Sequence, residues 1–229
     1  MKGFFEKDFL LISHRGASRY EPENTLRSFR RAIEMGSGVI ELDVRRTLDG
    51  HLVVIHDRTV NRTTDGKGAV SGKTLSELRS LDAGKGERIP TLEEVMGNFS
   101  GQCGFVIELK EKGTEKQTVS LIKAHGLIKD VVVVSFLKDC LREVKTLCPD
   151  VITGLITVFG IGCVRSALLL GCRVVATNHH FMTRRLVSDA QRNGLLVCCW
   201  TVNDTKRGEK LAAIGVNGVI TDKPDLLRA

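Results

Sequence analysis

Strand-length apolar runs and helical periodicity alternate along most of the chain. Leu10 to Ser13 is a short apolar run that delivers His14, Arg15 and Gly16 to its end. Leu26, Phe29, Ile33 and Met35 then recur on one helical face, with Asn24 or Thr25 placed to cap the helix and Gly36 to end it. Residues 38–57, GVIELDVRRTLDGHLVVIHD, hold two runs of strand formers around Asp49-Gly50. That pattern predicts a hairpin with Asp43 opposite His56. Residues 57–90 break the rhythm, being polar, glycine-rich and almost without strand signal. Only TLSELRSL promises a short helix there, with Thr74 or Ser76 as its cap. Loops this long in a compact domain are functional or carry small structure of their own.

From Pro90-Thr91, which begins another helix, the alternation becomes regular. Strands are predicted at 104–110, 131–136, 151–156, 173–177, 195–202 and 218–221. Helices are predicted near 114–125, 138–147, 162–170, 183–192 and 205–213. With residues 51–56 set aside as the second arm of the hairpin, eight βα-type strands remain. The expected fold is a (β/α)₈ TIM barrel with a small insertion after the hairpin. The rival is an open doubly wound sheet, but no G-x-G-x-x-G follows the first strand. No linker or composition shift divides the chain, so residues 1–229 are read as a single domain.

Composition narrows the function classes. The formal charge of +7 could suggest nucleic acid, yet the 34 Lys and Arg are scattered among 27 acids, and one Trp and one Tyr make no stacking platform. A mild positive field that attracts small anionic substrates is the simpler reading. The apolar run from Phe9 to Ile12 is too short to span a membrane or to serve as a signal peptide, and Glu6, Lys7 and Asp8 interrupt its approach. Seven cysteines show no C-x-x-C pair and no zinc spacing, which points to buried free thiols and a cytoplasmic location.

In a barrel, chemistry collects at the C-terminal strand ends. Those ends carry His14-Arg15, Glu41 with Asp43 and the nearby His56, then Glu108 with Lys110, Ser135-Phe136, Asn178-His179-His180, Trp200 and Asp222. Side chains alternate along a strand, so Glu41 and Asp43 share a face. Two buried carboxylates side by side call for a cation. Hard oxygen donors favour magnesium or calcium over zinc. Arg15 offers a forked donor and Lys110 a point charge, together suited to phosphate. Two histidines beside such a site suit proton transfer to and from phosphoester oxygens. The combined reading is metal-assisted phosphodiester cleavage. Bland readings weigh against some residues. Asn24 reads as a cap, His51 and His125 as structural, His179 and His180 as rim residues, and Trp200 equally as core or as a substrate wall.

The motifs HRG (14–16), PENT (22–25), IELDV (40–44), VIHD (54–57), NRTTDGKG (61–68), IPTLEEV (89–95), IELK (107–110), VSF (134–136), WTVN (200–203) and GVITDKP (218–224) run nearly end to end. Through them the chain resembles the glycerophosphodiester phosphodiesterases, a barrel family related to phosphatidylinositol-specific phospholipase C. The resemblance implies that His14 and His56 are the acid–base pair. It implies Glu41, Asp43 and Glu108 as ligands of one divalent cation, Mg²⁺ or Ca²⁺, and Arg15 and Lys110 as phosphate contacts. Trp200 would pack against the glycerol of the substrate, and residues 57–90 would be a small insertion over the barrel mouth. The implied reaction splits glycerophosphodiesters of lipid metabolism into sn-glycerol 3-phosphate and an alcohol. A lysophospholipase D-like variant would need a long apolar groove, and no exposed apolar stretch advertises one. A non-catalytic phosphodiester-binding barrel is the reading from another class. Nucleic acid and stable membrane insertion are not expected, and a homodimer is left open.

Overall fold

The apolar runs form a closed barrel. The computed structural model describes residues 9–226, so Glu6, Lys7 and Asp8 lie outside the described residues. The chain order is β1 (Leu10–His14), α1 (Leu26–Glu34), β2 (Val39–Arg46), β3 (Leu52–Val54), α2 (Leu75–Arg79), α3 (Leu92–Phe99) and β4 (Gly104–Leu109). It continues through α4 (Glu115–Ala124), β5 (Val131–Ser135), α5 (Lys138–Leu147), β6 (Ile152–Thr157), α6 (Cys163–Leu169), β7 (Val174–Asn178), α7 (Arg184–Arg192), β8 (Leu196–Trp200), α8 (Thr205–Ala213) and β9 (Gly218–Thr221). The strands run in the order β1-β9-β8-β7-β6-β5-β4-β2, and β1 pairs with β2 to close the ring. All eight barrel pairings are parallel, and only β3 pairs antiparallel, onto β2.

Strand residues facing outward, such as Ile40, Phe105, Val133 and Val219, pack against the helices in two large apolar clusters. Inward-facing residues form a separate cluster along the barrel axis. Helix starts follow the sequence signals. Thr25, Thr74 and Thr91 each cap a helix by a reciprocal capping box, with Ser28, Glu77 and Glu94 at the third helical position. All seven cysteines are free and buried.

The hairpin forms one residue away from the expected register. Val44 pairs with Val54, and Ile55 N–H donates to Asp43 O, so Asp43 lies level with Ile55 and not with His56. The cause is the turn. Thr47 and His51 close it, with Thr47 Oγ1 accepting from His51 N–H at 2.8 Å and donating to Asp49 Oδ1 at 2.6 Å. Three residues, Leu48, Asp49 and Gly50, then make the loop, and Gly50 takes the left-handed conformation at φ 90°. Beyond β3, residues 57–90 carry the Thr59–Ala69 bridge, a 3₁₀ turn at 70–72 and α2. Val60, Val70, Leu78 and Ile89 join Val53 and Ile55 in an apolar cluster that ties this segment to the hairpin.

Candidate active site

One mouth of the barrel gathers the charged strand ends. Glu41 and Asp43 from β2 and Glu108 from β4 are all buried, and one ligand oxygen of each lies within 4.8 Å of the others. The β2–β4 register explains the meeting, since Asp43 pairs with Glu108 on the neighbouring strand. Arg15 Nε lies 3.2 Å from Asp43 Oδ2, while Lys110 Nζ reaches Asp43 Oδ1 at 2.9 Å and Glu108 Oε1 at 2.6 Å. Neither Arg15 Nε nor Asp43 Oδ1 meets a well-aimed hydrogen-bond partner, so these contacts are charge proximity more than directed bonds.

Two cations do not satisfy three buried carboxylates. Burial, and next the repulsion of Asp43, push the Glu41 carboxyl up to about 7. The same two causes, in the same order, raise Glu108. Asp43 alone is held low, at about 2: burial opposes its ionisation, but Lys110 and Arg15 outweigh it. A site that lifts two of its three carboxyls is short of positive charge. Three converging oxygen donors fit a hard divalent ion, which would favour the ionised forms of Glu41 and Glu108 beside the already ionised Asp43.

The two histidines flank this cluster, half-buried at the mouth. His14 Nδ1 lies 2.6 Å from Asp222 Oδ1, and His56 Nδ1 lies 2.7 Å from Asp57 Oδ1. Asp222 is held at about 2; burial opposes this, and the hydrogen bond from His14 overcomes it. Asp57 is held below the usual carboxylate range, chiefly by Arg62. An ionised carboxylate only accepts, so Nδ1 carries a proton in both rings and Nε2 is left as the working nitrogen. Their affinities then diverge. Burial lowers that of His14, but Asp222 and the nearby acids win and the net shift is upward. Burial prevails at His56, whose pKa falls below 6.5.

The β1–α1 connection is built around Arg15. Its N–H donates to Glu41 Oε2 at 3.0 Å, and its guanidinium donates to Glu23 at 2.9 Å. Arg62, from the 57–90 segment, grips both Glu23 (2.7 and 2.8 Å) and Asp57 (2.8 and 3.1 Å). A charged chain therefore runs from His56 through Asp57, Arg62 and Glu23 to Arg15. Arg15 and Asn24 both adopt left-handed φ, at 55° and 57°. Gly16 follows at φ 82°, and a Cβ there would lie 2.4 Å from Ser28 Oγ, so no side chain fits.

The structure brings His14, Arg15, Glu41, His56, Glu108, Lys110 and Trp200 together around one cavity of about 170 Å³. Asp43 lies just behind the wall, fully buried. Trp200 is half-buried at the end of β8, edge-to-face with Phe136 at 5.9 Å. His179 and His180 form a 3₁₀ turn outside this group, His125 caps α4, and His51 is exposed. Two expectations fail. Asn24 does not cap α1; Thr25 does, and the left-handed backbone at Asn24 turns its amide inward to donate to Asp43 Oδ2 at 2.8 Å. The expectation of no exposed apolar stretch also fails. The β6–α6 connection, which falls between the predicted strand and helix, leaves Phe159 61% and Ile161 97% exposed. Asp57 and Asp222 received no role from sequence. Asp57 was signalled by standing next to His56, whereas Asp222 reaches His14 only through barrel closure.

Comparisons with known proteins bear on the family and the fold. The model of the glycerophosphoryl diester phosphodiesterase family matches residues 14–226. A glycerophosphodiester phosphodiesterase of Caldanaerobacter subterraneus is 39% identical over 235 residues, covering 95% of this chain and 96% of the relative. A solved phosphodiesterase of Oleispira antarctica, in complex with its product sn-glycerol-3-phosphate, superposes with a TM-score of 0.88 at 32% identity, over 94% of this chain and 93% of that one. A glycerophosphodiester phosphodiesterase of Agrobacterium tumefaciens superposes at 0.86 with 29% identity, over 95% and 98% of the two chains.

Proposed function

The chain belongs to the glycerophosphoryl diester phosphodiesterase family, and from that premise we propose that it hydrolyses glycerophosphodiesters to sn-glycerol 3-phosphate and an alcohol, with two histidines and one divalent cation. The observation that carries the proposal is the meeting at one barrel mouth of three buried carboxylates and two Asp-oriented histidines. Residues 1–229 act as one domain in this reading, with 57–90 over the mouth contributing Arg62.

Glu41, Asp43 and Glu108 would hold the cation, Mg²⁺ or Ca²⁺. When bound, it supplies positive charge for the phosphoryl oxygens as negative charge develops on them. Arg15 and Lys110 orient the phosphate, one by its fork and one as a point charge. His56, neutral and with Nδ1–H fixed on Asp57, takes a proton at Nε2 from the attacking hydroxyl. His14, its proton retained by Asp222, gives one from Nε2 to the departing alkoxide. Trp200 stands at the rim, where a glycerol moiety can lie against its ring. The direct test is release of sn-glycerol 3-phosphate from glycerophosphocholine. Turnover with a divalent ion and none without it is expected, and phosphodiester binding without turnover would mean a binding module.

The two affinities predict a bell-shaped pH profile. His56 must be neutral, so activity falls as pH drops through its pKa, which lies below 6.5. His14 must be protonated, so activity falls as pH rises through its pKa, which lies above 6.5. In Asp222→Asn the hydrogen bond that raises His14 is weakened, and the alkaline limb of kcat/KM should move to lower pH while the acid limb stays. An alkaline limb that does not move would contradict the assignment of His14 as the acid.

Trp200 gives a separate expectation. Trp200→Ala should raise KM for glycerophosphocholine by about two- to tenfold, since an aromatic contact is worth roughly 0.5–1.5 kcal/mol. It should barely change KM for an aryl phosphodiester that lacks glycerol. Equal losses on both substrates, with a large fall in melting temperature, would make Trp200 a core residue instead.

A further inference from the structure

The cavity at the active site does not end at the phosphate-binding groups. Its lining descends along the barrel axis from His14 and Trp200 to Leu10, Ile152, Leu196 and Asn217, at the opposite ends of their strands. The interior of a (β/α)₈ barrel is ordinarily a packed core of bulky branched side chains. Here the inward residues Val132, Val134, Ile156, Val174, Cys198 and Ile220 keep between 4 and 7% exposure, while their helix-facing neighbours Val131, Val133, Cys199 and Val219 have none. The centre of the barrel is thus less filled than the layer around it. The cause lies in the pairing. Ala176 sits beside Cys198 and Cys198 beside Gly218, so three adjacent strands point small residues at the axis. Gly218 cannot be enlarged, because a Cβ there would meet Leu10 O at 2.9 Å.

Below the charged ring this space offers almost nothing polar. Asn217, at the floor, already accepts Val197 N–H on its side-chain oxygen at 2.8 Å. A water molecule needs two to four polar partners to be held, and aliphatic walls supply none. Charged mouth and apolar axis together, the cavity measures about 170 Å³, of the same order as the engineered apolar cavity of about 150 Å³ that takes up benzene. It opens directly beneath the groups that grip phosphate, so an apolar arm on a bound phosphodiester could descend into it without crossing the surface.

We infer that the barrel axis is a binding site for an unbranched alkyl group, and that the enzyme accepts phosphodiesters with such a group on one ester arm. The substrate part of this inference rests on the phosphodiesterase reading; the binding part does not. The wild-type protein should bind benzene saturably, seen as a rise in melting temperature that levels off. Ala176→Leu should abolish that rise, as should Cys198→Leu should the first variant fail to fold. Across glycerophospho-n-alkanols from methyl to hexyl, kcat/KM should climb by up to about fourfold per methylene and then level off. The two filling variants should flatten this climb and leave glycerophosphocholine turnover unchanged. No benzene binding by wild type would overturn the inference, as would a flat alkyl series in an enzyme that turns over glycerophosphocholine. Benzene binding without turnover of any phosphodiester would instead sink the catalytic reading and leave the axial site standing.

Discussion

Replacing His14 or His56 with Ala is expected to lower glycerophosphocholine turnover by about 10²–10⁴-fold in each case, the usual contribution of one positioned proton-transfer group. Neither ring belongs to the apolar clusters that hold the barrel, so both variants should fold. The two losses should differ in kind. A choline or ethanolamine alkoxide leaves poorly and needs a proton, whereas nitrophenolate leaves without one. With a nitrophenyl phosphodiester, His14→Ala should recover most of its rate and His56→Ala should stay slow. Recovery by His56→Ala instead would exchange the roles. Near-wild-type turnover of glycerophosphocholine by either variant would remove the two-histidine scheme altogether.

Chelation should be as damaging. Treatment with EDTA is expected to lower activity by at least roughly 10³-fold, given the several kcal/mol of charge stabilisation that a metal supplies at a phosphoryl group. Added Mg²⁺ or Ca²⁺ should restore it. The same ion should raise the melting temperature in proportion to the logarithm of its concentration above Kd. Glu108→Gln should lose that metal-dependent rise while remaining folded. Without metal the substitution should cost little, because burial and Asp43 already disfavour the charged form of Glu108. Full activity after exhaustive chelation, or an unchanged metal response in Glu108→Gln, would show that the three carboxylates have another purpose.

Much of this site was legible in the sequence because its residues sit at strand ends, and buried strands are visible as apolar runs. Glu41 and Asp43 could be placed on one face by counting in twos, and Glu108 by the next strand's ending. The errors arose where local geometry decides. A one-residue difference in the hairpin turn shifted the partner of Asp43, since Asp49-Gly50 is compatible with a two- or a three-residue loop and the choice was made by Thr47. Asn24 was misread because its type favours both capping and the left-handed backbone, and only the second brings its amide to Asp43. Arg62 lies in a segment without periodicity, so nothing in its surroundings could place it against Glu23 and Asp57. The hollow axis was equally hidden, because Ala176, Cys198 and Gly218 become neighbours only once the register is fixed.

Ring closure also bears on how the chain acquires activity during synthesis. His14 and Asp222 are 208 residues apart, yet they meet because β1 pairs with β9. A partly made chain that has not yet produced β9 leaves β1 and β8 with open hydrogen-bonding edges, the surfaces most prone to aggregation. That same chain lacks Asp222, the carboxylate that raises the proton affinity of His14. Completion of the last strand therefore seals the sheet and brings Asp222 to His14 in a single event, and under the two-histidine scheme proposed above an unfinished or truncated chain would be both the most hazardous form of the protein and a catalytically silent one.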